Sequence, residues 1–88
     1  METYGIAAFR SRQSVLRFEE LLRAGGIHTQ IVSTPRAIAM GCGLSVRFDR
    51  RAMQSAMDLY RRHPMENLIG FYVAAQSEGK IDIRALRV

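Results

Sequence analysis

Two amphipathic helical stretches, each bracketed by strand-like runs, constrain the fold of this chain more than any other feature. Between Arg12 and Ala24, Val15, Phe18 and Leu22 fall at i, i+3 and i+7, and Leu21 widens the stripe. Between Arg50 and His63, Met53, Ala56, Met57 and Tyr60 repeat that spacing. The methionines read as gap-filling core side chains. Ser11 and Asp49 stand just before the two stretches, where a side-chain oxygen can accept from the first free amides. Gly25-Gly26 and Pro64 end them. Glu19 borders the first stripe, and its length predicts that it reaches solvent.

Four runs around these helices read as strands. Tyr4 to Phe9 and Leu68 to Ala75 are nearly apolar throughout. Ile27 to Thr34 is rich in β-branched residues. Leu44 to Phe48 alternates, with Leu44, Val46 and Phe48 on one face and Ser45 and Arg47 on the other. The order βαββαβ predicts an α+β fold, the ferredoxin-like sandwich. It has an antiparallel four-stranded sheet with two helices on one face. After a turn at Ser77 to Lys80, Ile81 and Ile83 alternate with Asp82 and Arg84, so an extra C-terminal strand can follow. The expected division is a domain over 1–76 and a tail over 77–88.

An 88-residue chain is bounded to one modest core. Its apolar runs, such as Ile6 to Phe9, are too short to span a bilayer, so no membrane partner is expected. The first residues carry no charged segment followed by an apolar one, and no signal peptide is expected. A single cysteine cannot form an internal disulfide and fits a reducing, cytoplasmic setting. The net charge of +5 comes from twelve arginines and one lysine. The arginines are scattered, with no lysine-rich run and no aromatic interleaving, which argues against nucleic acid as a partner.

The stretch from Ser33 to Leu44 carries the least ordinary chemistry. It holds Cys42 between Gly41 and Gly43, and Arg36 directly after Pro35. Flanking glycines leave the backbone free and put no neighbouring side chain over the sulfur. The strand order places this loop at the end of the sheet where the first helix begins. Arg10, Arg36, Arg61 and Arg62 belong to the same general region. A helix N-terminus and nearby guanidinium groups push a thiol toward thiolate. His28, His63 and Cys42 lack ligand spacing, so no metal and no cofactor is expected. His63 does fall at the Cys42 end, where a Cys–His pair would need it. Gly41-Cys42-Gly43 has no helix after it and is not a phosphate loop.

These residues carry a resemblance. Ser11 to Ile27, then Thr34-Pro35-Arg36, then Cys42-Gly43-Leu44 running into Val46-Arg47-Phe48, resemble the selenium/sulfur carrier protein-like family of small bacterial proteins. The similarity runs roughly from Tyr4 to Tyr72. Its most specific part is the Thr-Pro-Arg segment followed at fixed spacing by Cys-Gly. The resemblance implies a cytoplasmic carrier with Cys42 as the carrier residue. Ser33 stands where the family often has another proline, and Met40-Gly41 replaces a pair of small hydroxyl residues. The tail after Ser77 is extra.

Three readings follow, the third being a nucleic-acid or anion binder that uses the arginines. In the first, Cys42 accepts sulfur or selenium as a persulfide-type adduct and passes it from a donor protein to an acceptor protein. Arg36 and the loop amides around Gly41 and Gly43 stabilise the anion, and Thr34 and Pro35 set the loop. In the second, the chain is a non-catalytic protein-binding or adaptor module and Cys42 is a structural, buried side chain. None of these makes the chain an enzyme. Two helices cover only one sheet face, so a homodimer is expected, face to face or edge to edge, with the tail folding over part of the open face or adding an edge strand to its own sheet or to another subunit's.

Overall fold

The computed structural model describes residues 1–39 and 43–87. The chain forms β1 (Glu2–Phe9), α1 (Arg12–Ala24), β2 (Thr29–Ser33), β3 (Leu44–Asp49), a 3-10 turn (Arg50–Ala52), α2 (Met53–Arg62), β4 (Leu68–Ser77) and β5 (Lys80–Leu86). The sheet order is β2-β3-β1-β4-β5, and every neighbouring pair is antiparallel. The α+β class and the two helices on one face match the sequence reading. The sheet has five strands rather than four. The tail supplies the fifth, the extra C-terminal strand that the sequence allowed, as seven residues beside β4. A two-residue turn at Glu78 and Gly79, both at positive φ, joins them in the geometry that suits strand twist.

The helix stripes fill the core as their spacing requires. Val15, Phe18 and Leu22 of α1, with Met53, Ala56 and Met57 of α2, pack on Ala7, Phe9, Val46, Phe48 and Phe71. Ring centroids of Phe18 lie 5.5 Å from Phe9, 5.7 Å from Phe71 and 6.2 Å from Tyr60, in tilted or edge-on contacts. Gly5 pairs with Phe48 on this same face, where the Phe48 ring lies over the Gly5 backbone.

Local boundaries differ from the sequence reading for identifiable reasons. Asp49 caps the 3-10 turn, not α2 directly, by accepting from the Arg51 amide at 2.8 Å. The Arg51 side chain also holds the Asp49 carboxyl below the usual carboxylate range. Strand β2 starts at Thr29 because the Ile27 amide is taken by the Leu22 carbonyl at the end of α1. Glu19 does not reach out to solvent. Its carboxylate accepts from the Thr29 hydroxyl at 2.6 Å and pairs with Arg23 at 3.0 Å, tying α1 to β2.

The second sheet face is apolar and partly covered from within the chain. Tyr4, Ile6, Ala8 and Ala74 are buried there, packed against Ile38 of the loop between β2 and β3 and against the partly buried strand residues Ile69, Tyr72 and Ile83. The Arg47 guanidinium lies 3.7 Å from the centre of the Tyr4 ring, and Glu2 holds it at 3.0 Å.

The Gly5–Phe48 contact gives a direct test of the packing. A Gly5→Ala methyl would overlap the Phe48 ring. The variant should lose about 1–3 kcal/mol, as overpacked cores do, seen as a lower urea midpoint at unchanged slope.

Candidate functional site

The candidate site is the connection between β2 and β3. The strand order puts it at the end of the sheet where β1 hands over to α1 and α2 hands over to β4. Met40, Gly41 and Cys42 lie outside the described residues, so the expectation of an exposed thiol beside the α1 N-terminus does too. What the structure describes is the frame on either side of them.

That frame is built by continuing the β2–β3 ladder past its last pair. Ser33 pairs with Leu44, and the Thr34 amide then donates to the Gly43 carbonyl at 3.0 Å. Both ends of the loop are thereby held together. The Thr34 and Ser45 hydroxyls face each other at 2.7 Å and are buried. Period-two reading puts Ser45 on a solvent face. Instead it is fully enclosed, because the loop folds back over that face. Gly43 sits against Thr34: a Cβ there would lie 3.2 Å from Thr34 Oγ1. Pro35 bends the chain, its carbonyl accepting from the Ile38 amide at 2.9 Å and the Ala39 amide at 3.2 Å. This bend turns Ile38 down onto the helix-free face.

Of the predicted site residues, the structure brings Thr34, Pro35 and Gly43 together at the loop base. Arg36 is exposed on the bend and has no hydrogen-bond or ion-pair partner among the described residues. It lines a concavity of about 390 Å³ on the helix-free face, with Tyr4, Ile6, Val32, Arg47 and Ile81. Arg61 and Arg62 do not join it. They lie on α2, behind the other sheet face, where Arg61 bonds the Asp58 carboxylate at 2.8 Å and Arg62 approaches the Asp58 carbonyl at 3.5 Å. Arg10 stands at the start of α1, its amide donating to the Asn67 carbonyl at 2.8 Å. His28 and His63 are both exposed. Among the described residues no cluster of three His, Asp or Glu could hold a metal ion.

Sequence reasoning missed Ser45, Ile38 and Arg47 as parts of this frame. The signal for Ser45 was present: a small hydroxyl residue two positions after the Cys42-Gly43 pair, diagonal to Thr34 across an antiparallel ladder in which Ser45 pairs with Val32. Ile38 and Arg47 gave none, because their partners Tyr4, Ile6 and Ala8 are thirty or more residues away in the chain.

A family model described as "putative Se/S carrier protein-like" matches residues 4–68. The chain belongs to this selenium/sulfur carrier protein-like family. The match covers β1 from Tyr4 onward, both helices, β2, β3 and the whole connecting loop, and it ends on the first residue of β4. Strand β5 lies outside it. No curated protein and no solved structure matches the chain. No helix is long and apolar enough to cross a membrane among the described residues.

The Thr34–Ser45 pair can be tested by a double-mutant cycle. Thr34→Val leaves the Ser45 hydroxyl buried without its partner and should cost about 1–3 kcal/mol. Thr34→Val with Ser45→Ala should recover much of that loss, so the two substitutions will not add in urea unfolding.

Proposed function

We propose that this protein carries sulfur or selenium on Cys42. The observation that supports the reading most is the family match, which spans the loop and both of its anchoring strands. The frame around the loop is consistent with it. A thiol that takes up and releases an atom needs a fixed position and an open approach. The Thr34–Gly43 bond and the buried Thr34–Ser45 pair fix the loop base. Arg36 stands exposed beside it, available to an anionic adduct.

The chemistry is an exchange with no net oxidation. The Cys42 thiolate attacks the outer sulfur of a donor persulfide, R–S–SH. The donor S–S bond breaks, its electron pair leaves with R–S⁻, and a new bond joins the Cys42 sulfur to the transferred SH group. Delivery runs the same step toward an acceptor thiolate. Selenium would follow the same route from the corresponding selenopersulfide. Donor and acceptor are then protein or small-molecule thiols, and no resident cofactor is needed. A reducing cytoplasm would keep the unloaded thiol free.

Incubation with a small-molecule persulfide donor, followed by intact mass measurement, should show the gain of one sulfur atom on the full chain and none on Cys42→Ser. An unmodified wild-type protein, or equal gain on Cys42→Ser, would contradict the proposal. Arg36→Ala should slow alkylation of Cys42 near neutral pH by roughly two- to fivefold, the effect of one partly screened charge. Arg50→Ala, exposed at the opposite end of the sheet, should leave the rate unchanged. Equal profiles for both variants would remove Arg36 from the mechanism.

A further inference from the structure

Strand β5 is the outermost strand of the sheet, and no strand occupies its outer edge among the described residues. It runs in unbroken register with β4, from Ser77↔Lys80 to Phe71↔Leu86. It carries no bulge and no proline, two common means of blunting an edge. Every residue of it is exposed except Ile83, which is half-buried, and Ile81 is 41% exposed. Its side chains alternate: Ile81, Ile83 and Ala85 lie on the helix-free face, and Lys80, Asp82, Arg84 and Leu86 on the other.

We propose that β5 is a self-association edge. Two copies of the chain pair β5 against β5, antiparallel, about a two-fold axis at Ile83, and their two sheets become one. Directly opposed residues of an antiparallel pair point to the same face, so a two-fold pairing must be centred on a residue. Ile83 is the midpoint of Lys80–Leu86, and only this centre pairs all seven residues of the strand. In that register Ile83 meets Ile83, Ile81 meets Ala85, and Asp82 meets Arg84 on both sides of the axis. Moving the centre to Asp82 would oppose two carboxylates; moving it to Arg84 would oppose two guanidinium groups. Opposite charges across a strand pair stabilise it and like charges destabilise it. The register of fullest overlap is thus also the register of charge match, and the adjacent ones are penalised. Main-chain hydrogen bonds and cover for Ile81 supply the affinity, and the charges select the alignment.

The opposite edge of the sheet offers no such selection. Strand β2 has five residues and no charged side chain, so no register of β2 with itself is distinguished by charge. The partner is accordingly a second copy of this chain, joined through β5. The apolar row of Ile81, Ile83 and Ala85 would then continue across the seam on the helix-free face. The inference stands independently of the chemistry at Cys42.

Sedimentation equilibrium on the full chain tests it with three proteins. The wild type should be a dimer at micromolar concentration. Asp82→Arg opposes like charges at both positions and should weaken association by about tenfold. The swap Asp82→Arg with Arg84→Asp re-forms both pairs in reversed sense and should restore the wild-type constant. A wild type that stays monomeric overturns the proposal. So does an Asp82→Arg variant that associates as well as wild type, or a swap that does not restore association. A dimer broken instead by Ile31→Lys would place the contact on β2 and overturn it as well.

Discussion

Strand β1 is buried on both faces, and the rest of the structure follows from the need to cover it twice. All six residues from Tyr4 to Phe9 are buried. Ala7 and Phe9, facing the helices, are covered by α1 and α2 through a stripe of Val15, Phe18, Leu22, Met53, Ala56 and Met57. Tyr4, Ile6 and Ala8, facing the other way, have no helix above them. Leaving them in water would forfeit about 1.5–3 kcal/mol for a side chain such as Ile6. The chain covers them with pieces of other elements: Ile38 from the loop, Tyr72 and Ile69 from β4, Ile83 from β5, and Arg47 stacked on Tyr4.

This second cover links folding to the candidate chemistry. The loop that contains Cys42 is also the loop that contributes Ile38 to the core. It is fastened at its base by the Thr34–Gly43 bond, by the Thr34–Ser45 hydroxyl pair and by the bend after Pro35. Thr34 and Pro35 frame the loop base, and Arg36 is exposed beside them, lining the concavity.

The elements with strong local periodicity were legible in the sequence. Both helix stripes, the alternation of β3 and the alternation of Ile81 and Ile83 each specify a face from residues a few positions apart. Features that depend on distant partners were not. Ser45 follows the solvent-side parity of β3 and is nonetheless fully buried, because Thr34 meets it across the ladder and the loop closes over both. Glu19 has the position of a boundary residue and is instead drawn to Thr29 by a hydrogen bond that the helix pattern cannot reveal. The extent of β5 also escaped, since its pairing with β4 depends on the tight turn at Glu78-Gly79 rather than on its own apolar content. At the loop base, Thr34 and Pro35 stood out in the sequence, while the side chains packed around them, Ser45, Ile38 and Arg47, emerge only from the fold.

A carrier differs from a protein that merely reacts with sulfur in that it gives the atom up. The most direct measurement is therefore a discharge experiment. Protein loaded with isotopically labelled sulfane sulfur is separated from the donor, mixed with an acceptor thiol, and followed by intact mass on both partners. The account predicts that the label leaves the Cys42 form of the protein in step with its appearance on the acceptor, regenerating the free thiol. Label that stays on the protein, or that is lost to solution without reaching the acceptor, would contradict it.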